Sequence, residues 1–313
     1  MRMVAISEVK SANASLDKSP QELTAVFTGA TNGIGLATLR AFAKHISNPH
    51  AIIVGRSQTK FASELDNLRS INPKGTYTFL ETDISLIQNI DHLCQTIQTH
   101  LDDGSTKIDL LIMSQGYISF NGRETNADGL DNSLSLRYYG RMRLAQNLLP
   151  FLSENARVLS ILAGGQEGKI IEDDLDLERN YSIPASMAQF ASMTTLSFDH
   201  LAKAHPKKSF IHVFPGLTST GLLGRSATGV LGFLMRWVLE PVLGLFSSTS
   251  EEVGERVLYY ATSGLYDARG ECWPLNEKGE PTVGDALKGY REGAWAEKIW
   301  DHDQKMFERA LSK

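Results

Sequence analysis

The chain has 313 residues, of which 42% are hydrophobic and 21% are charged, as in ordinary globular proteins. A formal net charge of −5 gives no electrostatic reason to expect a nucleic-acid partner. The two cysteines, Cys94 and Cys272, are too few for a disulfide framework and lack metal-ligand spacing. We therefore expect buried thiols, no metal site and a cytoplasmic location, where thiols stay reduced.

Residues 1–22 are polar and of mixed charge, lack the apolar run of a signal peptide, and are interpreted as an N-terminal extension. The most apolar stretch, residues 230–246, contains Arg236, Glu240 and Pro241, whereas a membrane-spanning helix needs ~20 mostly apolar residues. We expect no transmembrane segment. We interpret residues 216–290 as an elaborated lid region, with an apolar lid at 216–250 that covers a hydrophobic small-molecule substrate.

From residue 25 onward, short β-rich runs alternate with longer stretches of helical period. Such alternation, with strands apolar on both faces, is typical of a parallel sheet covered by helices. The predicted strands span residues 25–28, 51–54, 76–81, 110–113, 158–162 and 210–214, with an edge strand near 271–275. The predicted helices span residues 33–46, 60–69, 87–100, 130–149, 186–204 and 295–311. We therefore expect a single α/β domain over residues 23–313, a doubly wound parallel sheet (Rossmann fold) of about seven strands.

The first predicted strand leads directly into a glycine-rich turn, Thr28 to Gly35, and then into a helix. Gly29 permits a tight turn, Gly33 lets the backbone approach a pyrophosphate, and Gly35 allows close packing of the helix on the strand. The amides that open the helix favour a negatively charged ligand. Glycines placed between a strand and a helix therefore predict a dinucleotide-binding site.

The end of the second strand distinguishes an NAD site from an NADP site. An NAD site carries an acidic residue about 20 residues after the glycines, which binds the ribose 2′-hydroxyl. Here the strand runs into Arg56 and Ser57, and an arginine can pair bidentately with a 2′-phosphate. This pattern predicts NADP(H) as the cofactor.

The spacing Thr-Gly-x-x-x-Gly-x-Gly resembles the short-chain dehydrogenase/reductase superfamily, and the resemblance covers residues 23–222. Asp83 follows the third strand, where the family binds adenine, and Ser114-Gln115-Gly116 stands where the family has Asn-Ala-Gly. The segment 215–220 is similar to the family's Pro-Gly-x-Val-x-Thr, whose last threonine holds the nicotinamide carboxamide. The cofactor contacts that these matches imply are Gly29, Thr31, Asn32, Gly33, Ile34, Gly35, Arg56, Ser57, Asp83, Ile84, Ser114, Gln115, Gly116, Pro215, Gly216, Thr218 and Thr220.

Members of this family usually reduce carbonyls with an Asn-Ser-Tyr-Lys tetrad, because hydride addition creates an alkoxide that must be protonated. The segment 128–131 (Asp-Gly-Leu-Asp) matches the family's sequence before the asparagine, and counting onward places Arg137 at the asparagine position. The Val-x-Ser-Ser pattern that ends the fifth strand places Leu162 and Ala163 on the serines, while Ser160 falls earlier. We expect Arg137 to anchor an acidic substrate or the cofactor, or to act as a structural ion-pair residue.

The Tyr-x-x-x-Lys pair is also missing. One alignment of the predicted helix 186–204 places Ile183 and Met187 at the tyrosine and lysine positions, and another places Met187 and Ala191 there. Tyr181 is the nearest phenol, but a tyrosine with a pKa near ~10 is a poor acid without a cationic neighbour. All four tetrad positions have changed, so the proton donor stays open.

Two further points stay open. The family commonly associates through the helices predicted at 130–149 and 186–204. Either a partner subunit or the C-terminal segment must cover the apolar second helix, so we expect a monomer or a homodimer.

The segments 25–35 and 163–168 resemble divergent fungal members, including tailoring enzymes of secondary metabolism. The resemblance leaves three functions: a reductase with an unusual proton source, a non-redox enzyme (cyclase, isomerase or dehydratase), and a catalytically silent NADP(H)-binding protein.

Overall fold

The structure is a computed structural model that describes residues 4–16, 22–101, 106–117, 119, 122–216, 218 and 248–313. Its described strands are β1 (Glu22–Thr28), β2 (Asn48–Gly55), β3 (Thr76–Glu81), β4 (Ile108–Met113), β5 (Leu152–Ile161), β6 (Ser209–Val213) and β7 (Trp273–Leu275). They form one parallel sheet of seven strands in the order β3-β2-β1-β4-β5-β6-β7. The prediction of a doubly wound parallel α/β sheet is confirmed.

Helices cover both faces of the sheet. The described helices are α1 (Ile6–Leu16), α2 (Gly33–His45), α3 (Gln58–Ile71), α4 (Ile87–Thr99), α5 (Asn132–Leu134), α6 (Gly140–Leu148), α7 (Ile183–Ala204), α8 (Ser250–Thr262), α9 (Asp285–Glu292) and α10 (Trp295–Leu311). One hydrophobic core lies between the sheet and α2, α3 and α8, and a second lies between the sheet and α4, α6, α7 and α10. Apolar side chains on both faces of each inner strand fill these cores, which is why the strands contain few polar residues.

The prediction of one continuous helix over residues 130–149 is wrong in detail. The structure has α5, then a π-helical turn (Ser135–Tyr139), then α6 and a short 3₁₀ turn (Leu149–Phe151). The amide of Gly140 donates to the carbonyl of Ser135, five residues back, and a β-carbon at position 140 would lie 2.9 Å from that oxygen. Glycine therefore allows the wider turn, which re-aims the side chains that precede it.

Part of the segment interpreted as a lid region belongs to the layered fold. Helix α8 packs against α2, where a β-carbon at Gly254 would lie 2.6 Å from the carbonyl carbon of Ala37. The lid predicted at 216–250 lies outside the described residues except for Gly216, Thr218 and residues 248–250. In the part of the chain that the structure describes, no helix is long and apolar enough to cross a membrane.

The N-terminal extension contains a helix that sequence analysis did not predict. Helix α1 lies on α8, and the side-chain amide of Asn13 donates to the carbonyl oxygen of Glu255 at 2.9 Å and to its carboxylate at 2.6 Å. The same carboxylate lies 3.0 Å from Nε2 of His45 on α2. Residues of the extension thus share a buried polar cluster with the sheet-covering helices.

The C-terminal helix α10 packs on α7, with the fully buried side chains of Phe190, Met193, Leu196 and Phe198 in the core that it closes. A carboxylate oxygen of the fully buried Asp303 accepts hydrogen bonds from Tyr138 at 2.7 Å and Ser197 at 3.2 Å. Because the chain itself covers the apolar face of α7, no second copy is needed to bury it. Whether the chain is a monomer or a homodimer stays a prediction.

Asp303 should make the stability of the protein depend on pH. Burial raises the pKa of its carboxyl group to about 8 in the folded chain, whereas an unfolded aspartate has a pKa near ~3.9. Between these values the unfolded chain releases a proton that the folded chain keeps. The free energy of unfolding should therefore fall as the pH rises through this window, by at most ~1.4 kcal/mol per pH unit.

Replacing Asp303 with asparagine should flatten this pH dependence, because the amide is neutral in both states. The measurement is the Tm of the wild-type chain and of Asp303→Asn at intervals from pH 5 to pH 8. Asp301→Asn, which changes an exposed carboxylate on the same helix, is the matched control and should keep the wild-type slope. Equal slopes for all three proteins would contradict the assignment to Asp303.

Candidate active site

The turn after β1 has the geometry of a phosphate cradle. Gly29 and Gly33 have φ angles of +73° and +55°, in the left-handed region that favours glycine. A β-carbon at Gly35 would lie 2.5 Å from the carbonyl oxygen of Gly29, so α2 could not approach the turn as closely. Asn32 caps α2 by accepting a hydrogen bond from the amide of Gly33 at 2.6 Å. The next amides of the first helical turn have no intrahelical acceptor and are available to an anion such as a pyrophosphate.

The end of β2 lies against this turn. A β-carbon at Gly55 would lie 2.6 Å from the methyl group of Thr31, so the residue after Gly55 stands beside the cradle. That residue is Arg56, which is exposed and forms no ion pair with any residue that the structure describes. Ser57 caps α3, with its hydroxyl accepting from the amide of Lys60 at 3.4 Å. An exposed cation beside a helix N-terminus suits a phosphate group.

At the ends of β3 and β6, the predicted cofactor residues lie mostly in loops. Asp83 is exposed, and its carboxylate accepts from the amide of Ser85 at 3.0 Å, while Ile84 is buried. After β6, Gly216 has a φ of +73°, and the hydroxyl of Thr218 donates to the carbonyl of Pro215 at 3.2 Å. Thr220, the predicted carboxamide contact, lies outside the described residues.

The end of β4 is tied to the glycine-rich turn by two side chains. The hydroxyl of Ser114 donates to the carbonyl oxygens of Thr28 at 3.2 Å and Gly29 at 3.1 Å. Thr28 donates through its hydroxyl to Oε1 of Gln115 at 2.6 Å. The buried Nε2 of Gln115 has no partner among the described residues, so a donor is left over at the edge where the predicted cofactor residues converge.

Arg137 lies in the π-helical turn and is only 6% exposed. Its Nη1 donates to the hydroxyl of Ser186 on α7 at 3.2 Å, and its Cγ lies 3.1 Å from the position of a β-carbon on Gly116. Burial lowers the pKa of Arg137, and the nearby Tyr181 and Asp131 act in the opposite direction. The structural ion pair that sequence analysis left open for Arg137 is not present within the described residues.

Arg141, one helical turn after Arg137, is a residue that sequence analysis missed. It is fully buried and donates to the carbonyl oxygens of Met113 at 3.1 Å and Ile161 at 3.0 Å, to the hydroxyl of Ser160 at 2.7 Å, and to the carbonyl of Gln115. Burial lowers its pKa to about 9, with a further contribution from the positive charge of Arg137. The spacing of two arginines four residues apart in the helix predicted at 130–149 was the available signal.

Sequence analysis places Ala163 at one of the family's two serine positions, and this assignment stays a prediction. Ala163 is buried, and its amide donates to Nε2 of His212 at 3.1 Å. The other ring nitrogen of His212 lies 2.9 Å from the hydroxyl of Thr195, which donates to a carboxylate oxygen of the buried Glu167 at 2.6 Å. Burial lowers the pKa of His212 to about 3, so the ring is neutral at physiological pH. Sequence analysis did not find this network.

The residues that the two alignments assign to the tyrosine and lysine positions lie on one stripe of α7. Ile183 is the first residue of the helix and is partly exposed, Met187 is 43% exposed, and Ala191 is fully buried. None of these side chains can exchange a proton, whichever alignment is used. Tyr181 lies just before the helix and is half-buried, and burial raises the pKa of its hydroxyl. The proton donor stays open, as it did from the sequence, with Tyr181 as the candidate phenol.

Comparison with known proteins identifies the family. A family model described as short chain dehydrogenase matches residues 23–172. The chain is 36% identical over 338 residues to "Oxidoreductase AN1596" of Emericella nidulans, covering 99% of this chain and 100% of the relative. The chain belongs to the short-chain dehydrogenase family.

Two other matches agree with this assignment. This short-chain dehydrogenase is 38% identical over 280 residues to "NmrA-like family domain-containing oxidoreductase notO" of an Aspergillus species, covering 87% of this chain and 80% of the relative. It shares its fold with the solved angucycline C-6 ketoreductase LanV with bound NADP, at a TM-score of 0.60 and 16% identity over 86% of this chain and 99% of the other. The resemblance inferred from the sequence motifs is confirmed.

The cradle itself can be tested by adding one methyl group to Gly35. Gly35→Ala should lower the free energy of unfolding by roughly 1–3 kcal/mol and weaken cofactor binding, because the new β-carbon meets the backbone of Gly29. Gly289→Ala is the matched control: position 289 lies within α9 with no atom within 4 Å of the added carbon. Denaturant unfolding should show the control to be about 0.5–1 kcal/mol more stable than the wild type. Equal effects of the two substitutions would contradict the close approach at Gly35.

Proposed function

We propose that this short-chain dehydrogenase is an NADP(H)-dependent oxidoreductase that acts on a hydrophobic small molecule in secondary metabolism, with an active site that lacks the family's usual tetrad. The observation that carries the proposal is Arg56, an exposed cation beside the glycine-rich turn that forms no ion pair with the described residues. An acidic residue in its place would favour the ribose hydroxyl of NAD and repel a phosphate. The names of the fungal relatives, both oxidoreductases, and the NADP bound to LanV are consistent with it.

The residues present fit the cofactor in three places. The cradle of Gly29, Gly33 and Gly35 would hold the pyrophosphate against the first amides of α2, and Arg56 would pair with the 2′-phosphate. The unpartnered amide nitrogen of Gln115 would find an acceptor on the ribose or nicotinamide side. When it is bound, NADPH supplies a hydride to an electrophilic carbon of the substrate.

Arg56 should set the preference between the two cofactors. The wild-type chain should bind NADPH at least about tenfold more tightly than NADH, because a charge-assisted pair with the 2′-phosphate adds more than ~1.4 kcal/mol. Arg56→Ala should remove most of this preference and leave NADH binding nearly unchanged. Fluorescence titration of both cofactors into both proteins is the measurement.

Arg69→Ala is the control for this titration, because Arg69 is an exposed cation at the far end of α3 and pairs with Asp66. It should keep the wild-type preference at the same ionic strength. Equal affinities of the wild type for NADPH and NADH, or an Arg56→Ala variant that keeps the preference, would overturn the NADP(H) assignment.

The missing tetrad limits the substrates that such an enzyme can reduce. A general acid typically contributes 10²–10⁴-fold to the rate, so a substrate whose alkoxide product needs immediate protonation should react very slowly. A substrate whose product anion is already stable, as in the reduction of a conjugated enone or a quinone, needs no such acid. We therefore expect the proton to come from water after hydride transfer.

Isotope transfer separates redox from non-redox chemistry. NADPH that carries deuterium at C4 of the nicotinamide should deliver the label to the product of the natural substrate, with loss of NADPH absorbance in step with product. Unlabelled product formed while NADPH is not consumed would refute the oxidoreductase proposal and favour a cyclase, isomerase or dehydratase. NADPH binding without any conversion of the natural substrate would favour a silent binding protein.

A further inference from the structure

Two buried guanidinium groups lie at the carboxyl ends of the central strands without a direct ion-pair partner among the residues that the structure describes. Within the residues that the structure describes, neither Arg137 nor Arg141 forms an ion pair, and their hydrogen bonds go to the hydroxyls of Ser160 and Ser186 and to backbone carbonyls. The charge of Asp131 raises the pKa of Arg137 against the effect of burial, but its two carboxylate oxygens accept the amides of Leu134 and Glu124 and form no ion pair with the guanidinium. Burying a cation costs free energy unless an anion compensates it. Two buried guanidinium groups one helical turn apart therefore favour the binding of an anionic ligand.

The contacts of Arg137 indicate where that anion would bind. Its guanidinium reaches α7 at Ser186, next to Met187, which stands at the lysine position in one alignment and at the tyrosine position in the other. Its stem lies against Gly116, at the end of β4 beside the unpartnered amide of Gln115. Arg141 lies behind it and is bonded to the ends of β4 and β5, so its charge is fixed.

We propose that Arg137 binds an oxyanion of the substrate, and that the substrate is a conjugated enone or quinone whose hydride adduct is an enolate or a phenolate. This proposal rests on the oxidoreductase function proposed above. Arg141 adds a second, fixed positive charge behind the first, which strengthens the attraction in a site of low dielectric constant.

The proposed reaction adds a hydride and then a proton across the carbon–carbon double bond of the enone. The β-carbon of the enone accepts a hydride from the reduced nicotinamide, the carbon–carbon π electrons shift toward the carbonyl carbon, and the carbonyl π electrons move to oxygen. The enolate oxygen is held by Arg137, and water later protonates the α-carbon, so the substrate is reduced by two electrons and NADPH is oxidised. A guanidinium is charged at neutral pH, so Arg137 stabilises the anion electrostatically.

The test uses a phenolate probe and does not depend on turnover. The pKa of 4-nitrophenol bound to the complex of the protein with NADP⁺ is followed through the visible absorbance of the phenolate. The wild-type chain should lower this pKa by one unit or more, a tenfold preference for the anion. Arg137→Lys should keep part of the shift, and Arg137→Met should lose it.

A structural role of Arg137 would give the opposite pattern. Without ligand, Arg137→Met should be at least as stable as the wild type, because the variant no longer buries an uncompensated charge. Arg143→Gln removes an arginine that pairs with Asp91 at 2.6 Å, and it should lower the Tm without changing the probe's pKa. A destabilised Arg137→Met variant with an unchanged probe pKa would overturn the proposal, and so would a wild type that binds no phenolate at millimolar concentration.

The oxidoreductase proposal and the Arg137 proposal can be refuted independently of each other. Loss of the phenolate shift at position 137 does not depend on whether the enzyme transfers hydride, whereas the isotope experiment does not depend on which residue holds the oxygen. Label transfer to a simple ketone at high rate would also contradict the enone proposal while leaving the oxidoreductase function intact.

Discussion

The site depends on one buried guanidinium that joins the carboxyl ends of the central strands. Arg141 donates to carbonyl oxygens at the ends of both β4 and β5, and to the carbonyl of Gln115 just beyond β4. These carbonyls lie at the strand ends on buried residues, and Arg141 supplies hydrogen-bond donors to them. Arg141 thus fixes the backbone of Gln115. The side-chain oxygen of Gln115 in turn accepts a hydrogen bond from the hydroxyl of Thr28 at the start of the cradle. One network of hydrogen bonds therefore connects the glycine-rich turn to the ends of β4 and β5.

The electrostatics of this frame differ from those of a site built on a phenol and an ammonium group. The positive charges come from the π-helical turn and α6, on the same face of the sheet as α7, and they are carried by two guanidinium groups. On the side of β5 and α7, the network of His212, Thr195 and Glu167 contains a ring that burial keeps neutral. An arrangement that attracts negative charge without donating a proton suits stabilisation of an anion better than acid catalysis.

Sequence reasoning predicted the parts of the molecule that depend on neighbouring residues. The glycine-rich turn, the strand that precedes it and Arg56 lie within 35 residues, so their spacing shows in the sequence. Helix α8 was missed although Thr249 and Glu252 form the start of a capping box, because the apolar segment before it suggested a lid. The bonds of Arg141, and of His212 to Ala163 and Thr195, join residues 17 to 49 positions apart, and no local period records them. The π-helical turn was also invisible, since one extra residue hardly disturbs a helical pattern.

The regions that keep the family's motifs and those that depart from them lie in different parts of the chain. The family model matches residues 23–172 and so ends before α7, the helix on which both alignments place apolar side chains at the tyrosine and lysine positions. The cofactor half of the fold, from β1 to the end of β4, keeps its glycines at positive φ and its hydrogen bonds between Ser114 and the turn. A β-carbon at these positions would be strained at positive φ, so glycine fits the conformation of the turn best. The presence of these glycines beside an α7 whose aligned tyrosine and lysine positions carry apolar side chains is what an enzyme would show if it kept hydride transfer and left the protonation step to water.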